Sequence, residues 1–318
     1  MMRSTGTSYV TKAALIGGLC LGALSLGAGA PYAKSDGGTG ANSALETLGK
    51  SPIAVPLRDG LRLEYEGYFG GFHIGSARAV MERDGEGYRV SAEARARGLL
   101  DWYSQWRGQA ESRGRLGVED TFGLDDAAPK PALHRNRGEW NGDQRWSVLD
   151  FDSQGRVTKD EGSPPDENEL TPIPEGATQN TIDPISAVVA LSEVLEEGGL
   201  CEATLRLYDG RRRYNLSVTD QGVRQFEPND YTVFQGDARA CELEIERIGG
   251  FRKEQSKYSK TARKRTVWVG RPLTGGPPVP VRVEIETAYG TALVHLVGAY
   301  SGTRKLALEP TRDVMADD

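Results

Sequence analysis

Hydrophobic and polar residues alternate singly over most of the stretch from about residue 61 to 300, the spacing of half-buried strands whose side chains point in turn to core and solvent. Leu61, Leu63, Tyr65 and Phe69 share one parity, with Arg62, Glu64 and Glu66 on the other. A second strand is predicted at 74–83, followed by a hairpin turn at Asp84-Gly85-Glu86-Gly87. The return strand sets Tyr88, Val90, Ala92, Ala94 and Ala96 against Arg89, Ser91, Glu93, Arg95 and Arg97. This is a β-meander pattern. The same alternation predicts strands around 101–116, 133–151, 201–208, 212–219, 241–248, 264–270, 280–288 and 291–300. Asp209-Gly210, between two of them, is a dipeptide favoured in tight type I′ turns, where both central positions need positive φ.

One segment departs from period two. Asp183 suits an N-cap and Pro184 the first helical position, and Ile185, Val188, Val189, Leu191, Val194 and Leu195 recur at helical spacing until Gly198-Gly199. The expected architecture is therefore mainly β, an open antiparallel β-barrel or β-spiral with one internal or covering helix over about 183–197. The proline-rich acidic stretch 160–175 is expected as an exposed loop.

Ahead of the strands, an apolar, glycine-rich run over 13–30 follows Arg3 and Lys12. It is expected to be a secretory signal peptide (1–33), cut near the small residues 28–33, with a retained membrane anchor as the alternative. A flexible leader (34–60), a single β domain (61–300) and a C-terminal tail (301–318) complete the expected organisation, and the periplasm is the expected location. Removal of the signal takes Cys20 and leaves Cys201 and Cys241, which in an oxidising compartment predicts a disulfide. Parity places Cys201 with Leu205 and Leu207, and Cys241 with Leu243 and Ile245, so both sulfurs should point inward. The net charge of −6 gives no support to nucleic-acid binding.

Catalytic motifs are absent: no G-x-S-x-G elbow, no H-E-x-x-H and no phosphate-cradling glycine loop occurs. No catalytic residue, metal ligand or cofactor is assigned. His73, His134 and His295 could each meet a serine or aspartate in space, or simply be satisfied strand and turn residues. Two clusters suggest binding instead. Trp102, Trp106, Trp140 and Trp146, with Tyr103, fall on predicted neighbouring strands and could line an apolar cavity or stack on sugars, or else pack as core. Lys257, Lys260, Arg263, Lys264 and Arg265, with Arg252 and Lys253, are basic with only Glu254 to offset them, and could contact an anionic head group or polymer, or form a solvated face.

Leu63-Glu64-Tyr65-Glu66-Gly67 through Ile74-Gly75-Ser76-Ala77, the helix start Asp183-Pro184-Ile185-Ser186-Ala187, the hairpin Leu207-Tyr208-Asp209-Gly210-Arg211-Arg212-Arg213-Tyr214-Asn215-Leu216 and the strand Pro280-Val281-Arg282-Val283-Glu284 together resemble the domain of unknown function 3108 family of exported bacterial proteins. The resemblance implies an envelope protein and transfers no catalytic residue. A weaker similarity of shape is to periplasmic lipoprotein carriers and envelope-integrity proteins. The expected function is noncatalytic: binding an apolar or amphipathic envelope component or a protein partner in support of envelope assembly or integrity, with lipid, lipoprotein, glycan and envelope protein as the candidate partners. A polysaccharide-associated binding protein and a hydrolase of envelope polymers with a dispersed site are the rivals.

Overall fold

Alternation becomes a continuous antiparallel sheet in the computed structural model, which describes residues 60–117, 129–164, 170–253, 264–287 and 289–308. The strands are β1 (Leu61–Phe69), β2 (Phe72–Asp84), β3 (Gly87–Ala96), β4 (Arg107–Arg115), β5 (Lys130–Trp140), β6 (Asp143–Phe151), β7 (Val157–Gly162), β8 (Ala203–Tyr208), β9 (Arg213–Phe226), β10 (Gly236–Gly249), β11 (Arg265–Gly270), β12 (Val279–Thr287), β13 (Gly290–Ser301) and β14 (Arg304–Ala307). Their order is β7-β6-β5-β4-β3-β2-β1-β13-β12-β11-β10-β9-β8, with β14 beside β13. The sheet curls but is not closed. Side chains bridge its two edges: the Tyr208 hydroxyl on β8 donates to Asp160 on β7, while the Asp209 carbonyl accepts from Ser147 Oγ at 2.9 Å and Asn136 Nδ2 at 3.1 Å.

Helix α2 (Pro184–Glu196) occupies part of the interior, and Val233 and Phe234 pack another part against Leu61, Leu63, Val281 and Leu296. Asp183 caps it by accepting from the backbone N–H groups of Ile185 and Ser186. Beyond its end, Gly198 adopts φ +81°, and the Gly199 N–H bonds back to the Val194 carbonyl. Ile185 and Val189 pack on Met81, Tyr88 and Val90 from one flank of the sheet. Ala187 joins Leu207, Tyr214, Leu216, Leu243 and Val267 from the other. The helix thus supplies the apolar surface that two halves of a curled sheet need in order to bury their inner faces, which is the main source of stability for such an arrangement. Polar contacts hold its C-terminal half: Glu193 pairs with Arg83, Ser192 Oγ donates to the Pro278 carbonyl, and Glu196 pairs with Arg271. Cys201 and Cys241 form a disulfide beside this core, both almost fully buried.

Five expectations change, one being that the strand foreseen over 133–151 is a hairpin of β5 and β6. The strand foreseen over 101–116 divides into a short helix, α1 (Gly98–Ser104), and β4. Gly98 at φ +57° and Gln105 at φ +42° turn the chain at either end, so Leu100 packs with Ile74, Ala96, Ile285 and Ala292 at one end of the sheet. Asp209-Gly210 is not a type I′ turn: only Gly210 has positive φ, because the Asp209 carboxylate accepts from the N–H groups of Arg211 and Arg212 and organises a wider loop. The acidic loop begins later than expected, since Asp160–Gly162 continue β7 against β6. An edge strand needs a paired backbone rather than apolar alternation, and five of the six residues of β7 are exposed. Finally β14 lies within the expected tail, pairing with Gly298–Ser301 of β13, beyond the last pairing of β12 with that strand at His295.

Candidate functional site

Three strand and helix-cap residues assemble a buried polar node. Ser112 on β4 and His134 on β5 are cross-strand partners, and both face Asp183 at the start of α2. Ser112 Oγ donates to Asp183 Oδ1 at 2.6 Å, His134 Nδ1 lies 2.7 Å from Ser112 Oγ and 3.1 Å from Asp183 Oδ1, and Ser186 Oγ donates to Asp183 Oδ2. Tyr88 extends the network to Ser186 Oγ. Burial alone would raise the Asp183 pKa, but the His134 charge and hydrogen bonds from His134, Ser112 and Ser186 outweigh it and hold the carboxyl below its usual range.

The composition is that of a Ser-His-Asp hydrolase, but the wiring is not. A nucleophilic serine must donate its proton to the imidazole nitrogen opposite the one that faces the aspartate. Here serine and aspartate meet the same nitrogen, Nδ1, and the serine proton is given to the aspartate. Ser112 and Asp183 have no exposed surface and His134 has 2 %. The node therefore clamps the α2 N-terminus to the sheet. Among the described residues, no group of three His, Cys, Asp or Glu side chains is placed to hold a metal ion.

A second cluster lies around His295 on β13. Its ring is in contact range of Tyr68 and Tyr231, each 6.1 Å away between ring centroids, and Tyr68 also meets His73. Burial, reinforced by the Arg282 charge, lowers the His295 pKa from 6.5 to about 4. The unfolded chain then binds a proton that the folded chain refuses between those values, so the contribution of His295 is complete above about pH 6.5 and is lost as pH falls toward 4. We expect His295→Gln to flatten the stability profile over this window, by no more than about 3 kcal/mol, in urea titrations at successive pH values. An unchanged acid slope would refute the assignment.

The aromatic residues distribute differently. Trp102 on α1 is 83 % exposed, and Tyr103 beside it 45 %. Trp106, just after α1, is half-buried against the cluster of Ile74, Leu100 and Ala292; a Cβ at Gly108 would come within 2.9 Å of its ring. Trp140 closes β5 at the same end of the sheet, opposite Asp143. Trp146 lies farther along β6, out of phase with the buried Ser147 and Leu149. The structure thus brings Trp102, Trp106 and Trp140 to one end, with Trp102 outside the helix-filled interior. Of the basic set, Lys257, Lys260 and Arg263 lie outside the described residues. Lys264 pairs with Glu242 at 3.3 Å, and Arg265, largely buried, begins β11.

That same end carries residues the sequence reading passed over. Phe69-Gly70-Gly71-Phe72 joins β1 to β2 with both glycines at positive φ, and Phe72 is 68 % exposed. The β12–β13 turn presents Tyr289, 51 % exposed. These turns neighbour one another because β13 pairs with β1 through Phe69 and Ala292. The Arg97 N–H bonds to the Ile74 carbonyl and places α1 alongside. A Gly-Gly pair flanked by phenylalanines was the available signal for an exposed aromatic turn.

Comparison with known proteins adds a family. The family model described as "Protein of unknown function (DUF3108)" matches residues 64–297. Among solved structures, a "Beta-barrel-like Protein of Domain of Unknown Function DUF1849 from Brucella abortus" is similar over 78 % of this chain and 100 % of that one, at 12 % identity and a TM-score of 0.43. No curated protein matches.

Proposed function

The chain belongs to the DUF3108 family of proteins of unknown function, and from that premise, which brings no reaction with it, we propose a noncatalytic binding protein, exported to the periplasm, that engages an apolar or amphipathic envelope component or a protein partner in support of envelope assembly or integrity. The observation that carries this reading is the separation of two surfaces. The inner face is packed by α2 and by Val233 and Phe234 of the β9–β10 connection and carries the sealed Ser112–His134–Asp183 node, whereas exposed aromatic side chains gather at one end of the sheet. The buried disulfide between Cys201 and Cys241 suits an oxidising compartment. A hydrolase reading loses its best constellation, because that node has neither solvent access nor a transferable serine proton. A polysaccharide-binding reading draws on one observation, the open ring of Trp102, which has the exposure a sugar platform needs.

The test is extraction of the protein from its native envelope, followed by mass spectrometry of co-purifying lipid, glycan and protein and by N-terminal sequencing. Enrichment of a lipid or an envelope protein on a chain beginning between about Ala30 and Lys34 is the expected result, and enrichment of glycan alone would favour the polysaccharide reading. Recovery of intact Met1 in the inner membrane would overturn export, and turnover of an envelope polymer by the purified protein would overturn the noncatalytic reading.

A further inference from the structure

We infer that the end of the sheet bearing Phe72, Trp102, Tyr103 and Tyr289 docks on the surface of an anionic phospholipid bilayer, with these four side chains entering the head-group region. The inference rests on the binding reading above and names its partner.

Two independent features of this end point to such a surface. The first is aromatic placement. Four of the five aromatic side chains that are exposed among the described residues are here, Tyr231 being the other. They sit on α1 and on two adjacent hairpin turns. Scattered exposed apolar groups need no explanation, but aromatic groups projecting together from neighbouring turns do. Phe, Trp and Tyr are the side chains suited to the boundary between head groups and acyl chains, because the ring is apolar while the Trp N–H and Tyr O–H remain hydrogen-bonded. The turns also hold these rings outward: Leu100 anchors α1 in the apolar cluster below, and Gly70-Gly71 make a tight turn that leaves Phe72 beyond the core.

The second feature is charge. Arg95 on β3 and Arg107 on β4 are direct cross-strand partners immediately below α1, both exposed. Like charges so placed repel and destabilise the strand pair. Glu139, next to Arg107 on β5, interacts with Gln144 instead. Arg97 lies beside them, its Nε donating to Ser76 Oγ. Lys264 reaches the same end, its carbonyl accepting from the N–H of Glu286 next to the Tyr289 turn. An arginine pair that costs folding stability is accounted for when an anionic surface neutralises it, and basic residues flanking an aromatic rim match the charge of such a membrane. Asp101, Glu66, Glu286 and, directly opposite Arg107, Glu139 are the acidic groups nearby; Glu66 is paired with His73, and Lys264 with Glu242.

Cosedimentation of the purified chain with vesicles of phosphatidylethanolamine and phosphatidylglycerol tests the inference, with phosphatidylcholine vesicles for comparison. The parent should bind the anionic vesicles, shift its tryptophan emission to shorter wavelength, and bind more weakly in 1 M salt, where screening acts within about 3 Å. The combined variant Phe72→Ser, Trp102→Ser should partition at least about tenfold more weakly, since each ring loses its apolar transfer. Arg95→Gln with Arg107→Gln should lose the preference for anionic vesicles and melt no lower than the parent. A control variant at exposed apolar sites toward the other end, Leu200→Ser with Val223→Ser, should bind as the parent does. Circular dichroism establishes that each variant is folded. Vesicle binding that the aromatic variant retains, or absence of binding by the parent, would overturn the docking surface. So would self-association abolished by the same variant, which would make a second copy the occupant. Co-purification of a protein partner with no vesicle binding would leave the binding reading standing and the membrane inference refuted.

Discussion

Replacing Asp183 by alanine should destabilise the protein by about 4 kcal/mol, because it removes the acceptor on which both the α2 N-terminus and a buried strand pair converge. Loss of the N-cap alone accounts for about 1 kcal/mol. The remainder comes from what is left behind: Ser112 and His134, sealed from water, lose their shared partner, and Ser186 loses its acceptor. Asp183→Asn should cost less, since its amide oxygen still accepts from the Ile185 and Ser186 N–H groups. Urea unfolding followed by far-ultraviolet circular dichroism distinguishes the two variants. The carboxyl titrates below its usual range when folded, so its contribution is present above about pH 4 and is lost as pH falls further. That window lies below the one governed by His295, which allows the two to be separated. An Asp183→Ala variant within about 1 kcal/mol of the parent would show that the node does not clamp the helix.

Removing the disulfide should cost a similar amount. Cys201 and Cys241 are 40 residues apart, and closing a loop of that length restricts the unfolded chain by about 4 kcal/mol. The bridge ties the segment leaving α2 to β10, so its loss frees the β8–β9 hairpin and the helix exit together. Cys201→Ala with Cys241→Ala should lower the melting temperature by roughly 10 °C. Both sulfurs are buried, at 1 % and 0 % exposure, so a thiol reductant should act on the folded protein only at the rate of unfolding. Reduction at a rate independent of added denaturant would contradict that burial.

Period-two alternation was sufficient to read the β class, most strand positions and the inward parity of both cysteines, because a strand that buries one face records that fact in every second residue. The α2 boundaries were legible for a comparable local reason: Asp183-Pro184 starts a helix and Gly198-Gly199 ends one through their own backbone preferences. Local signals misled where tertiary contacts supplied the stabilisation. α1 forms because Leu100 has a site between Ile74 and Ala292, β7 forms because β6 offers an unpaired edge, and the Asp209 carboxylate overrides the turn its dipeptide favours.

The candidate sites divide along the same line. Composition and order determined by themselves that this is an alternating β chain with one internal helix and one inward-facing cysteine pair, since each of these is written in neighbouring residues. Only the tertiary structure decided that Ser112, His134 and Asp183 meet, and that they meet as a sealed clamp rather than a triad: residues far apart in the chain are joined by sheet register and helix placement, and the direction of a serine proton depends on which imidazole nitrogen it faces. It also decided that Trp102 faces solvent beside Phe72 and Tyr289 instead of lining the interior, because Leu100 of the same short helix takes the inward site at that end, between Ile74 and Ala292.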